Sequence, residues 1–197
     1  MQRPSDTTPE TSCPRGILAT RTGRLTAFFL LYITEGIPLG FNSVALAALM
    51  RQKGLDTAQI GLFVGTLYLP WSWKWIIGPI VDLIYSSRLG RRRAWIVGCQ
   101  TLMALTLLCA IGVDFTSQFY VFTGIILIHN IFAATMDVAI DALAVTTLPP
   151  KERGTANGLM FAGAYLGNAV GGAGVLFLMP YFPVSATFLF FMGAILL

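Results

Sequence analysis

The chain has 197 residues, of which 55% are hydrophobic and 11% charged, against roughly a quarter charged in ordinary soluble domains. The apolar residues form runs of about 20 or more, the length a helix needs to cross the hydrocarbon layer of a membrane. This composition excludes an ordinary soluble protein and predicts an all-α, polytopic membrane protein with the lipid bilayer as its surroundings. The net charge of +4 does not indicate a nucleic-acid partner, because most basic residues lie in short segments between apolar runs.

Residues 1–24 are rich in Thr, Pro, Ser and Arg and lack the apolar core of a signal peptide, which predicts a disordered tail. Residues 25–197 are then a transmembrane helical domain, with predicted spans over residues 25–50, 58–84, 94–113, 117–147, 155–180 and 184–197. The sixth span has only about 14 residues, or roughly 21 Å of helix. We therefore expect the sequence to be the front part of a longer protein, with the sixth helix cut short.

The basic residues predict the orientation of the spans, because positively charged loops stay on the cytoplasmic side. Ten of the 13 Lys and Arg residues precede the first span, or lie between spans two and three or spans four and five. The opposite side holds only Arg51 and Lys53. We expect a multi-pass membrane protein whose N-terminus is cytoplasmic.

Four charged residues lie well inside the predicted spans, away from their ends, where a charge near the bilayer centre costs roughly 2.5–3.5 kcal/mol on insertion scales. Glu35, Lys74 and Asp137 each lie about 10 residues from the cytoplasmic end of their spans, so they share a level near the midplane. Asp141 follows Asp137 by four residues and therefore lies on the same helix face. We predict an ion pair between Lys74 and Asp137, with the remaining carboxylates near a path for substrate and protons. The bland alternative is a static salt bridge that only specifies helix packing.

Three glycines of the fifth span, Gly163, Gly167 and Gly171, form a strict four-residue ladder, which predicts the close approach of another helix. No nucleophile with a nearby base, no set of metal ligands and no phosphate-cradling loop can be recognised. The sequence therefore favours transport over an enzyme, and it indicates no cofactor and no metal site.

The segment GPIVDLIYSSRLGRRR, residues 78–93, resembles the signature between helices two and three of the major facilitator superfamily, in which Gly and Asp precede a basic cluster. Five additional residues separate Asp82 from Arg88, and the longer loop that results resembles the AmpG-type, muropeptide permease-like branch of that superfamily. Four further segments resemble the same branch in order and spacing: TEGIPLGF, LPWSWKWIIGPIVD, MDVAIDA and LPPKERG.

This resemblance implies the N-terminal six-helix half of a twelve-helix major facilitator fold, located in the bacterial inner membrane. It implies a proton-coupled secondary transporter that imports a small solute such as an anhydro-muropeptide, with relatives carrying siderophores or acetyl-CoA. It also implies a gating role for the loop signature, which comprises Gly78, Asp82, Arg88, Gly90, Arg91 and Arg92. The partners implied are the solute, protons and the missing C-terminal half.

Two further readings stay open at this point. The short chain could itself be the natural product, as a half-transporter remnant or a module that pairs with a second half and transports nothing alone. In addition, Met136, Ala144 and Tyr165 stand where AmpG-type proteins usually carry polar or basic residues. Fewer polar groups would then line the cavity, and sugar and peptide ligands need several such partners.

Overall fold

The structure is a computed structural model that describes residues 16–83, 91–182, 186–189 and 192–193, without the side chain of Arg91. Five helical spans are described in full: α1 (Arg21–Gln52), α2 (Thr57–Ser72 and Lys74–Leu83), α3 (Arg91–Ile111), α4 (Phe119–Thr147) and α5 (Pro150–Leu178). Four of them, α1, α3, α4 and α5, are long and apolar enough to cross a membrane. The predicted fold class, an all-α polytopic membrane protein, is therefore confirmed.

The start of the chain is more ordered than the sequence predicts. A short 3₁₀ helix covers Gly16–Ala19, and α1 begins at Arg21 rather than at residue 25. The side chain of Thr20 caps α1 by accepting a hydrogen bond from the backbone N–H of Gly23 at 3.1 Å. Gly16–Ala19 and the first turn of α1 from Arg21 are thus helical where a disordered tail was expected, and residues 1–15 of that tail lie outside the described residues.

The second span is interrupted, which corrects the prediction of one continuous helix over residues 58–84. Its first segment ends at Ser72, Trp73 leaves the helical conformation, and the second segment begins at Lys74. Pro70 has no backbone N–H to donate, and the N–H of Trp73 bonds back to the carbonyl of Pro70 at 3.2 Å, which tightens the last turn. The break therefore falls directly before the lysine that the sequence places in the membrane.

Two spans contain a wider π-helical turn. In α1 the turn covers Phe41–Leu46, three residues after the internal Pro38, and in α5 it covers Val170–Gly174. Single π-helical turns inside α-helices are frequent at functional sites. The two π-helical turns contact each other, so the irregular parts of α1 and α5 meet at one place in the bundle.

The glycine ladder of α5 packs against α1, and it brings the two helices into backbone contact. A Cβ atom added at Gly163, Gly167 or Gly171 would overlap backbone oxygens of α1, and one added at Gly36 or Gly40 would overlap backbone atoms of α5. Gly154 and Gly158, by contrast, face open space. The predicted close approach is present, and it does not include the first two glycines of α5. We give the name glycine seam to the five glycines in contact: Gly36, Gly40, Gly163, Gly167 and Gly171.

The helices α3 and α4 form the other close pair, and both segments of α2 pack against α4. His129 of α4 is fully buried and bonds through Nδ1 to the hydroxyl of Thr106 at 3.1 Å and the carbonyl of Met103 at 3.2 Å. This histidine therefore links α4 to α3. Of the predicted sixth span, residues 186–189 and 192–193 are helical, and the ring of Phe188 packs edge-on against Phe41 with centroids 5.0 Å apart.

Candidate functional site

Lys74 and Asp137 form an ion pair between α2 and α4, in which the side chain of Lys74 is 32% exposed. The ammonium Nζ contacts the carboxylate Oδ2, and the side chain of Asp137 is 5% exposed. Lys74 also lies 5.6 Å from the ring centre of Trp71, within range of a cation–π contact. The break at Trp73 sets the direction in which Lys74 leaves α2, and the structure brings together the two residues that the depth count pairs.

Tyr32 of α1 joins both aspartates of α4, a link that the sequence analysis missed. Its hydroxyl donates to Oδ1 of Asp141 in a short hydrogen bond and lies 3.4 Å from Oδ1 of Asp137. Asp137 and Asp141 occupy the same face of α4, as their four-residue spacing predicts, because one phenol reaches both. The signal available in the sequence was spacing: Tyr32 precedes Glu35 by three residues and therefore shares its helix face.

Glu35, the third predicted acid, lies close enough to Lys74 and Asp141 for an electrostatic interaction with each. Its carboxyl oxygen Oε2 is buried and accepts no hydrogen bond from the residues that the structure describes. Glu35, Lys74, Asp137 and Asp141 thus form one group of charges contributed by α1, α2 and α4. With Tyr32, we call these five residues the core cluster.

A cavity of about 530 Å³ opens beside Asp141, between α4 and α5. Its polar lining comes from Asp141, Arg153 and Asn157, and its apolar lining includes Ala144 and Met160. Pockets that bind small molecules measure roughly 300–1,000 Å³, so this cavity has room for one. Of the positions that differ from the usual AmpG-type pattern, Ala144 lines the cavity, Met136 is buried in the core and Tyr165 is exposed.

One ion pair connects α2 with α3 at the loop signature. Nη1 of Arg92 lies 2.6 Å from Oδ1 of Asp82. Gly78 faces open space, so no neighbouring atom requires a glycine at that position. Arg88 and Gly90 lie outside the described residues, as does the side chain of Arg91, and the gating role of the signature stays a prediction.

A second ion pair at the same end of the bundle joins α1 to α5, and the sequence analysis did not foresee it. Arg24 holds Glu152 in a two-point contact, Nε to Oε2 at 2.9 Å and Nη2 to Oε1 at 2.7 Å. The free Nη1 donates to the carbonyls of Leu18 and Ala19 at 3.1 and 3.2 Å. Arg24 therefore fastens the start of α5 and the preceding 3₁₀ helix to the start of α1.

The segment LPPKERG forms a tight connection between α4 and α5. Pro149 and Pro150 end one helix and start the next, with Pro150 in the first turn of α5. Arg153 folds back and donates to the carbonyls of Leu148 at 3.2 Å and Val145 at 2.9 Å. A cation is favourable at a helix C-terminus, so Arg153 caps α4 while it lines the cavity beside Asp141.

The core cluster suits proton exchange and charge recognition better than covalent chemistry. Three carboxyls face one ammonium, so one acid can take up or release a proton while another stays paired with Lys74. Within the described part of the chain, no group of three or more His, Cys, Asp or Glu residues is arranged to hold a metal ion. The cavity beside Asp141 gives a solute or water access to the cluster from one end of the bundle.

Comparisons with known proteins identify the family of the chain. The family model described as Major Facilitator Superfamily matches residues 25–197. The AmpG 4 protein of Rickettsia conorii is 30% identical over 158 residues, which cover 79% of this chain and 38% of that protein. The anhydromuropeptide permease of Escherichia coli K12 is 27% identical over 157 residues, which cover 79% of this chain and 31% of the permease.

The chain therefore spans between three and four tenths of the length of these two relatives. The match to the family model covers most of the chain, and the names of these two relatives agree with the AmpG-type resemblance. The chain belongs to the Major Facilitator Superfamily, and its similarity is to the AmpG-type branch of that family.

Proposed function

We propose that the chain supplies part of a secondary transporter that imports a small solute across a membrane together with protons that move down their gradient. The single observation that carries this proposal is the core cluster, in which Lys74, Asp137, Asp141 and Glu35 meet among membrane-length helices. Charged residues in such positions are costly, and they mark ion and substrate paths when they face a cavity. Family membership supports the same conclusion.

The cavity beside Asp141 supports a solute with several polar groups. In this cavity of about 530 Å³, Asp141 offers a carboxylate, Asn157 an amide and Arg153 a guanidinium. A sugar with an attached peptide presents hydroxyl, amide and charged groups that can pair with this set. Together with the name of the permease from Escherichia coli, this lining favours an anhydro-muropeptide as the solute.

The distribution of the basic residues supports a cytoplasmic N-terminus, and the resemblance to AmpG-type permeases supports a location in the bacterial inner membrane. In that orientation, the end of the bundle with the two ion pairs Arg24–Glu152 and Asp82–Arg92 faces the cytoplasm. The loop signature would then act at this end as a gate, because its Asp82–Arg92 contact joins two helices that must move relative to each other when access changes.

Uptake into proteoliposomes tests the proposal directly. The native-length protein is reconstituted, and the entry of radiolabelled anhydro-muropeptide is followed with an inward proton gradient, without a gradient, and with a protonophore. We expect accumulation only with the gradient, and competition by unlabelled anhydro-muropeptide but not by a siderophore or acetyl-CoA. Accumulation that ignores the gradient would refute proton coupling, and preferred competition by either rival compound would refute the solute.

A complete lack of uptake is also informative. If the gradient drives no solute of the three while the protein is folded and inserted, the transporter proposal itself fails, and a chain that acts as a pairing module or remnant becomes the better account. A thermal melt of the reconstituted protein supplies the folding control for that outcome.

A further inference from the structure

The three carboxyls of the core cluster lie in different surroundings. Asp137 contacts the ammonium of Lys74, and Asp141 accepts the hydroxyl of Tyr32 and borders the open cavity. Glu35 has neither, since its buried Oε2 accepts no hydrogen bond from the described residues. The cluster therefore stabilises a negative charge well on two of its acids and poorly on the third.

This difference matters because a buried charge needs partners. Leaving a polar group unpaired in a dry interior costs roughly 1–3 kcal/mol, and more when the group is charged. Lys74 interacts electrostatically with Glu35, but its ammonium is already in contact with Asp137. One bound proton removes the unpaired charge from Glu35 and leaves the Lys74–Asp137 contact in place.

Other helices provide no competing partner for Glu35 in the described part of the chain. From α2 it faces Lys74, and from α4 it faces Asp141 with Asp137 beside it, while Tyr32 stands one turn away on α1 itself. The charged residues of α5, Lys151, Glu152 and Arg153, all lie in its first turn, where Glu152 is held by Arg24. The occupancy of the proton is thus decided among the five members of the core cluster.

We propose that Glu35 is the residue that carries the coupled proton. This inference rests on the proposed function, which it deepens by naming the proton site. In the step concerned, the O–H bond of the Glu35 carboxylic acid breaks and the proton passes to water. The resulting carboxylate faces Lys74, and no other reactant is needed.

This role predicts an order of partners for Lys74. While Glu35 is protonated, Lys74 pairs with Asp137 alone. When Glu35 loses its proton, a second carboxylate competes for the same ammonium, and the contact between α2 and α4 weakens in favour of one between α2 and α1. Proton release would thereby shift the contact of Lys74, the residue that follows the break at Trp73, from α4 toward α1.

Infrared spectroscopy of the purified protein in lipid measures the proton without requiring transport. We expect the carbonyl stretch of a protonated carboxylic acid in the unaltered protein at pH values above the ordinary titration range of Asp and Glu. The band should disappear as pH is raised further, and it should be absent from Glu35→Gln throughout that range. The band should persist in Asp137→Asn and in the control Asp114→Asn, which removes an exposed carboxyl outside the cluster. A band that survives in Glu35→Gln, or no band in the unaltered protein, would overturn the proposal.

Two more variants separate a proton role from a structural one. Glu35→Asp keeps an acid and should restore the carbonyl band and part of the gradient-driven uptake. Tyr32→Phe removes only a hydroxyl from the cluster and keeps the carboxyl of Glu35, so the band should persist. Thr34→Val is the matched control, because the Thr34 hydroxyl bonds the Leu31 carbonyl of its own helix and its removal should leave the spectrum unchanged.

The infrared and uptake experiments fail independently. A protein that shows the Glu35 band but accumulates no solute would contradict the proposed function while supporting the protonation of Glu35. Gradient-driven accumulation that is the same in the unaltered protein and in the Glu35→Gln variant would contradict this inference while supporting the proposed function.

Discussion

Tyr32 and Glu35 on α1 reach across to α4 and α2, whereas Gly36 and Gly40, in the next two turns, bring α1 against the backbone of α5. The first pair works through its functional groups and the second through the absence of any side chain. The comparison shows how one helix can be fixed and reactive at once. The glycine seam sets the position of α1, and that position determines where Tyr32 and Glu35 point.

The largest expected effect is on uptake, and it comes from removing the charge of Asp137 among the polar contacts of the core cluster. In Asp137→Asn, Lys74 loses the carboxylate it contacts, and removing one partner of a buried pair leaves an uncompensated charge. We expect gradient-driven uptake to fall to background while membrane insertion, measured by the amount of protein in the membrane fraction, stays normal. Asp114→Asn serves as the control. Unchanged uptake in Asp137→Asn would show that the pair has no part in coupling.

The packing side of the comparison is broken by Gly167→Leu. A side chain at Gly167 would overlap the backbone of α1 at Ile33, and overpacking of this kind costs about 1–3 kcal/mol or more. Gly158→Leu makes the same change on the same helix where a side chain meets open space. We expect a lower melting temperature in Gly167→Leu only, measured in detergent or nanodiscs. Equal melting temperatures would mean that the seam is not in close contact.

The ion pair Arg24–Glu152 sharpens the comparison, because it fastens the same two helices as the glycine seam but through charge. Glu152→Gln keeps the shape and removes the charge, so we expect faster backbone hydrogen exchange in the first turn of α5 and over Gly16–Ala19. The middle of α5, held by the seam, should exchange as before. Lys151→Gln, which changes a neighbouring charge outside the Arg24–Glu152 pair, controls for the loss of a charge at this point. Uniform acceleration along α5 would instead mean that the pair and the seam act as one unit.

The smallest effect is expected in the loop between α3 and α4. Asp114 accepts bonds from the backbone N–H of Thr116 at 3.0 Å and from the hydroxyls of Thr116 and Ser117, and these bonds hold the pKa of Asp114 below its usual range. Because the folded pKa is lower than the unfolded one, the stabilisation is present above the unfolded pKa and is lost as pH falls through the folded value. The melting temperatures of the unaltered protein and Asp114→Asn should converge as the solution is acidified. A difference that persists at the lowest pH would contradict this.

Part of the site follows from counting residues. Helical rise alone puts Glu35, Lys74 and Asp137 at one level, and the four-residue spacing puts Asp137 and Asp141 on one face. These rules hold because a span of known length and direction fixes depth, and because the cost of a buried charge favours pairing. The glycine ladder can be predicted in the same way, since residues four apart lie on the same side of a helix.

Other parts depend on contacts between distant segments. The pairing of Arg24 with Glu152 joins residues 128 positions apart, and no local pattern indicates it. The break at Trp73 lies in an apolar run whose hydropathy is continuous, and Pro70 alone allows either a kink or a full interruption. Tyr32 reads as an ordinary aromatic residue until α4 is seen beside it. Each of these was missed because tertiary packing, and not local preference, decides it.

The ion pair between Lys74 and Asp137 is the central claim, and a double-mutant cycle on unfolding free energy in bicelles measures it most directly. The cycle uses Lys74→Met, Asp137→Asn and the double variant. Residues in direct contact show interaction energies of about 0.5–3 kcal/mol, and we predict a value in that range, with the double variant more stable than the sum of the single losses implies. Strictly additive losses would contradict the account, since they would mean that the two side chains do not meet within the membrane.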